Sequence, residues 1–286
     1  MAWEKKIRGV LNVAELAVEK RIRANGVVKP NRRPRHTSRA WPEIRKKMDK
    51  APYRALFLDF DGTLVPLQQR PEDVKLSAQA KRILARLTHR DNVFVAVVSG
   101  RKRSDLIQLV GVKGVHLFGL QGAERAGKKP AMTAKIRRAL VRAKRRARSL
   151  LASIPGIWIE DKGVIFTVHY RAAKRAGVER ARKLLRKVLA PSIRSLHILH
   201  GAKTWEILPI QLRGKGAAVE AHLREMPAGT IAVYIGDDGT DETALAVLRE
   251  HISVRVGEKK DTKANFYLRD SSEVLRFLSR LEREIL

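Results

Sequence analysis

The chain has 286 residues and no cysteine, enough for a sizeable core but excluding disulfides and thiolate metal sites. No run approaches the ~20 apolar residues of a membrane span. Met1–Val18 carries Glu4 and Glu15 and no long apolar core, so it does not read as a secretory signal and a cytoplasmic protein is expected. The 60 Lys and Arg against 29 Asp and Glu leave a formal charge of +31, so a nucleic-acid partner has to be weighed.

The excess charge is unevenly placed. Residues 1–50 hold 15 basic and 5 acidic side chains, and residues 125–188 hold 20 basic and 3 acidic. Within the first block, the near-helical spacing of Ile7, Val10, Leu11, Ala14, Leu16, Ala17, Val18 and Ile22 predicts an amphipathic helix over Lys5–Arg23. A basic linker over Asn25–Pro34 and a short helix over Trp41–Asp49 follow. This leader reads as a solvated extension.

Leu56–Leu58 is a buried parallel strand that ends in Asp59-Phe60-Asp61, and Gly62-Thr63 then turns the chain. Ligands of open α/β sheets sit beyond the carboxyl ends of strands, so both carboxylates fall where a site would be. At ~4 Å and an effective dielectric of ~20, their repulsion costs on the order of 4 kcal/mol. A cation relieves it, and an all-oxygen site suits Mg²⁺.

A polar loop over Pro66–Asp73 precedes a helix with Leu76, Ala80, Ile83, Leu84 and Leu87 on its apolar face. Val93–Val98 is a second buried strand, closed by Ser99-Gly100-Arg101. A helix follows from Arg101 to Val110, with its N-terminus beside Ser99, where backbone N–H groups favour a phosphate. Val115–Gly119 is the next strand, and Leu120-Gln121-Gly122-Ala123-Glu124 follows it.

The middle of the chain changes character. A basic helix over Ala134–Leu151 precedes a hairpin of Trp158–Val168 turning near Asp161-Lys162-Gly163. Gly177–Leu189 is a second basic helix, and Leu196–His200 pairs with Thr204–Leu208 around Gly201-Ala202. Helices then recur over Ala217–Leu223, Glu242–Arg249 and Val274–Leu286, with strands over Ile231–Ile235 and Ser253–Val256. The expected fold is α/β: a doubly wound, mostly parallel sheet with an inserted α+β module. Its expected divisions are a basic extension over 1–50, a core over 51–125 and 209–286, and the insert over 126–208.

Four strand-end and loop signatures come in order: Asp59-x-Asp61-Gly62-Thr63, Ser99, Lys215, and Gly236-Asp237-Asp238-Gly239-Thr240-Asp241-Glu242. Together they resemble the haloacid dehalogenase superfamily of phosphohydrolases. Glu160-x-Lys162 with His169-Tyr170-Arg171, then Lys203-Thr204-Trp205-Glu206-Ile207, Pro209 and Lys215-Gly216-x-Ala218, resemble trehalose-6-phosphate phosphatases. The likeness runs from Tyr53 to Leu286, and the insert would be the cap.

The resemblance implies Mg²⁺-dependent hydrolysis of trehalose 6-phosphate through an aspartyl-phosphate. Asp59 would be the nucleophile and Asp61 the general acid and base, with Ser99 and Lys215 on the phosphoryl oxygens. Mg²⁺ would sit on the Asp59 carboxylate, the Asp61 main-chain carbonyl and Asp237, with Asp238 and Asp241 behind them. Glu160 and Lys162 would take sugar hydroxyls, and Arg101, Arg171 and Glu206 are further substrate candidates, as is Glu124 unless it only caps a helix. The implied partner is a small-molecule sugar phosphate. Two positions depart from the family pattern: Gln121 stands for its usual histidine and Leu208 for its usual arginine. Both touch sugar recognition and leave room for another sugar phosphate. A polyanion-binding module on the same fold is the reading from a different class.

Overall fold

The computed structural model describes residues 33–68, 74–126, 130–258 and 261–285. The helix expected over Lys5–Arg23, most of the linker after it and part of the Pro66–Asp73 loop lie outside the described residues.

Strands β1 (Arg35–His36), β2 (Arg54–Leu58), β3 (Val93–Val98) and β4 (His116–Phe118) precede the insert, whose strands are β5 (Trp158–Asp161), β6 (Phe166–His169), β7 (Leu196–Gly201) and β8 (Thr204–Pro209). Strands β9 (Ile231–Gly236), β10 (Ile252–Val256) and β11 (Phe266–Leu268) follow it. Seven strands form one parallel sheet in the order β1-β11-β10-β9-β2-β3-β4. All residues of β2, β3 and β10 are buried, Arg54, Ser253 and Arg255 among them, as in strands covered on both faces.

Helices cover both faces. The first face is packed by α1 (Trp41–Asp49), α2 (Ala78–Thr88), α3 (Arg103–Val110) and, from the chain's end, Ser271–Glu284; they meet Leu56, Leu58, Val95, Val97, Val233 and Ile235. On the second face, helices Lys215–Leu223 and Glu242–Val247 bury Val219, Ala244 and Leu245 against Phe57, Ala96, Val98 and Tyr234. Between them in the chain stand α4 (Ala134–Leu151) and α5 (Arg175–Leu189); the three later helices are therefore α6, α7 and α8.

The insert has its own core. The antiparallel sheet β5-β6-β8-β7 carries α4 and α5 on one face, with Leu140, Leu151, Phe166, Val168, Leu185, Trp205 and Ile207 between. The outer sides of both helices expose Arg137, Arg138, Arg142, Arg145, Arg180 and Arg186 to solvent.

The leader differs from expectation in its last third. Arg35–His36 adds an edge strand beside β11, and Trp41, Ile44 and Met48 are buried in the core. The Trp41 indole N–H donates to Glu284 at 2.9 Å, and Arg280 stacks over its ring. Residues from Pro34 onward thus belong to the unit that carries the sheet. A charged two-residue strand has no apolar run to betray it.

Candidate active site

The chain leaves β2 toward one edge of the sheet and β9 toward the other. The carboxyl ends of these neighbouring strands form the point where strand order reverses, and Asp59 and Asp237 follow them directly. After Asp59 the backbone coils tightly: the Phe60 carbonyl accepts from Leu64 at 3.0 Å and the Gly62 N–H donates to Val65 at 2.8 Å. Gly62 holds φ +83°, and a Cβ there would overlap the Asp237 carboxylate. Only glycine satisfies both demands.

Lys215 opens α6 and is buried. Its ammonium donates to Asp59 Oδ1 at 2.6 Å and to Asp241 Oδ1 at 2.8 Å. The Thr63 hydroxyl donates to the other Asp59 oxygen at 3.3 Å. Asp241 is fully engaged: Oδ1 also accepts from the Tyr234 hydroxyl at 2.6 Å, and Oδ2 from the Asp238 N–H at 2.9 Å. Burial opposes charge on Lys215, but Asp241 and Asp59 outweigh it and lift its pKa well above the usual ammonium range.

The carboxylates outnumber that one ammonium. Burial, resisted by Lys215 but reinforced by Asp241, Asp237 and Asp238, drives Asp59 well above the usual carboxylate value. Burial and then Asp241 and Asp238 push Asp237 up to about 7, and its carboxyl group hydrogen-bonds that of Asp59. Two carboxyl groups in contact need a shared proton or a cation. Oxygens of Asp59, Asp237 and Asp241 lie within 4.8 Å of one another. The donor set fits a hard divalent ion, with no nitrogen or sulfur among it. Asp237 is the least committed of the three: Asp241 already serves Lys215, Tyr234 and the Asp238 amide, while Asp59 accepts from Lys215 and, weakly, from Thr63.

The other expected residues divide. Ser99 is buried at the end of β3, where its hydroxyl accepts from the Arg101 N–H at 3.2 Å. Arg101 grips Asp61 through two bonds of 2.7 Å, so its guanidinium serves that carboxylate. Asp238 takes the Thr240 N–H at 2.7 Å and, with its second oxygen, the Ala202 N–H at 3.1 Å. It therefore docks the β7–β8 turn onto the strand-end loop. Glu124 accepts from the Arg103 N–H at 2.8 Å and caps α3, which has no cap of its own. Arg171 is exposed and donates to the Gln68 carbonyl at 3.2 Å, tying the insert to the loop after β2.

Glu160, Lys162 and Glu206 lie on the face of the antiparallel sheet opposite its helices. Lys162 reaches the Gly100 carbonyl at 2.9 Å and lies 3.5 Å from Glu160 and 3.6 Å from Glu206. Glu206 accepts from the Gln121 amide at 2.6 Å. Burial opposes ionisation of Glu160, but His169 and Lys162 outweigh it and hold the carboxyl below its usual value.

A family model described as trehalose-phosphatase matches residues 57–272. The chain belongs to the trehalose-phosphatase family. It is a phosphoric monoester hydrolase. A probable trehalose-phosphate phosphatase of Sinorhizobium fredii is 35% identical over 211 residues, covering 71% of this chain and 77% of the relative. Trehalose 6-phosphate phosphatase RA3 of Zea mays is 29% identical over 251 residues, 79% of this chain and 69% of that one. The C-terminal domain of C. albicans trehalose-6-phosphate phosphatase shares the fold with a TM-score of 0.73 at 23% identity, over 89% of this chain and 99% of that chain.

Three supports of this trehalose-phosphatase site escaped sequence reasoning. Tyr234 and Thr63, described above, hold Asp241 and Asp59. Arg255 donates to the carbonyls of Asp237 and Asp238 and to Glu242 at 3.0 Å, clamping the loop after β9. An arginine inside the apolar run Ile252–Val256 is the signal that marks it, because a charge there needs fixed partners. Leu208 is buried with Leu120 and Ile165.

Proposed function

We propose that the chain hydrolyses trehalose 6-phosphate to trehalose and phosphate through an aspartyl-phosphate on Asp59. The observation that carries this reading is the Asp59 carboxylate at the sheet's switch point, 2.6 Å from buried Lys215 and in contact with Asp237, under a sheet face bearing Glu160, Lys162 and Glu206.

Asp59 attacks phosphorus and the P–O bond to the sugar breaks while Asp61 gives its proton to the leaving oxygen. Water then attacks the acyl phosphate, Asp61 takes the proton, and phosphate leaves with Asp59 restored. Lys215 and Ser99 bind the transferring oxygens, where fixed charge and position supply most of the rate. Arg101 aims Asp61. The Asp59 and Asp237 carboxylates and the Asp61 carbonyl would hold Mg²⁺, which supplies neutralising charge for the phosphoryl group. Glu160, Lys162 and Glu206 take sugar hydroxyls.

Leu208 and Gln121 support a second reading inside the class, a phosphatase for another sugar phosphate, because they replace a charge and an imidazole beside these cap residues. One experiment addresses both. Phosphate release is followed on trehalose, sucrose and glucose 6-phosphates, with Mg²⁺ and with excess EDTA, for the parent and Asp59→Asn. Trehalose 6-phosphate should be turned over best, EDTA should silence the enzyme, and Asp59→Asn should be inactive while melting normally. Turnover by Asp59→Asn within a few-fold of the parent would remove Asp59 from the nucleophile's role.

A further inference from the structure

We propose that Trp158 forms an aromatic subsite for the sugar ring remote from the phosphate; this rests on the disaccharide-phosphate reading above. The argument begins with which face of β5 its side chains occupy. Ile159 packs into the insert's core, and Asp161 bonds Lys144 of α4 at 2.5 Å. Side chains alternate along a strand, so Trp158, Glu160 and Lys162 share the opposite face. That face looks onto the phosphatase core, since Lys162 touches the Gly100 carbonyl beside Ser99.

The three side chains form a graded ladder. Two residues of strand span ~7 Å and four span ~13 Å, so Glu160 and Trp158 stand successively farther along the strand from the contact that Lys162 makes with Gly100. A ligand anchored by its phosphate at Lys215 and Ser99 and lying along this face meets the ammonium first, then the carboxylate, then the indole. A second hexose ring is needed to reach the last of these. Monosaccharide phosphates stop short of it.

The indole is built as a platform. Trp158 pairs with His169 across the hairpin, and the two rings stack with centroids 3.7 Å apart and planes within 1°. His169 is itself fixed by Glu160 at 2.9 Å. One indole face is therefore covered and its rotation arrested, yet 49% of the residue remains exposed. Among the described residues, the other exposed large apolar side chains are aliphatic. A pyranose presents a flat patch of C–H groups on its face and hydroxyls around its rim. A rigid, half-exposed indole beside a carboxylate matches both, the ring taking the patch and Glu160 a hydroxyl.

The test compares kcat/KM for trehalose 6-phosphate and glucose 6-phosphate in the parent, Trp158→Ala, Trp158→Leu and Trp158→Phe, with melting temperatures recorded. The disaccharide-to-monosaccharide ratio should fall about fivefold to tenfold in Trp158→Ala and Trp158→Leu, mainly through KM for the disaccharide, and should stay within about twofold in Trp158→Phe. An unchanged ratio in Trp158→Leu, which keeps apolar bulk without a flat ring, overturns the subsite even if Trp158→Ala does not fold. A parent that leaves trehalose 6-phosphate untouched overturns the disaccharide reading and the subsite with it. A parent that hydrolyses it, with variants of unaltered ratio, overturns the subsite alone.

Discussion

Tyr234→Phe deletes one oxygen and leaves the rest of a fully buried ring in its cluster with Phe57 and Ala244. The lost hydroxyl donates to Asp241 at 2.6 Å, in a place that water does not reach. A hydrogen bond to a charged group contributes ~1.5–3 kcal/mol, and Asp241 keeps Lys215 and the Asp238 amide, so about 1.5–2 kcal/mol should be lost. That lowers Tm by about 3–8 °C for a domain of this size. Burial raises the Asp241 pKa, but Lys215, Tyr234 and the Asp238 N–H outweigh it and hold the group below its ordinary 3.8. A depressed carboxyl gives stability that is full above the ordinary value and is lost as pH falls through the folded one. Without the hydroxyl the folded value rises, so the variant's deficit is full at pH 7 and narrows as the pH drops through the carboxylate range. Urea unfolding of parent and variant at pH 7 and at several points down to the acid transition measures both quantities. A deficit under about 0.5 kcal/mol at pH 7, no more than a neutral surface change, would refute the reasoning. So would one that does not change with pH.

Gly62→Ala forces a Cβ into the Asp237 carboxylate at a backbone angle that costs ~1–2 kcal/mol for any other residue. The Mg²⁺ concentration for half-maximal activity should rise about tenfold or more, while the melting temperature drops by only a few degrees; activity titrations with metal check it. Arg255→Lys keeps the charge but loses the fork that spans two carbonyls and Glu242, so kcat/KM should fall about tenfold and Arg255→Met should fall further, both read by steady-state kinetics. Arg101→Gln releases Asp61 from two bonds of 2.7 Å. A p-nitrophenolate leaves without a proton, so the loss of kcat should be about tenfold larger on trehalose 6-phosphate than on p-nitrophenyl phosphate if Asp61 is the acid it aims.

Much of the sheet was legible because its strands are dense in β-branched and aromatic residues. The bounds expected for Val93–Val98 coincide with β3, and the carboxylates at the ends of β2 and β9 came with them. Helix α4 was equally plain, with Ala139, Leu140, Ala143 and Ala147 on one side and arginines on the other. What failed to show depends on distant partners. Strand β1 exists because β11 lies alongside it, 231 residues away in sequence. Glu124 faces Arg103 only after β4 brings the two together, and nothing local separates a helix cap from a sugar ligand. Leu120 and Gln121 sit at φ 49° and 60°, a pair of left-handed residues that no glycine announces. They are held by the Arg101 and Ser99 carbonyls, at 2.7 and 2.8 Å.

Gln121 also bears on the substrate choice proposed above. Gln121 leans across from the core to Glu206, and Lys162 leans back from the insert to Gly100. The first pair is buried and the second half-buried, and a Cβ on Gly100 would lie 2.8 Å from the Gln121 amide and 2.9 Å from Glu206. Groups so enclosed are costly to leave unpaired, so a sugar entering between the two sheets must replace each bond it breaks. A hydroxyl can do so for Glu206 and Lys162, because it both donates and accepts. The Gln121 carbonyl oxygen is buried with no hydrogen-bond partner, and a hydroxyl supplies the donor it lacks. A phosphate ester with no hydroxyls at these points breaks the pairs and restores nothing. Discrimination of this kind comes from the penalty on the wrong ligand more than from attraction to the right one, and it is why a polar site can reject analogues far more strongly than an apolar pocket of the same size.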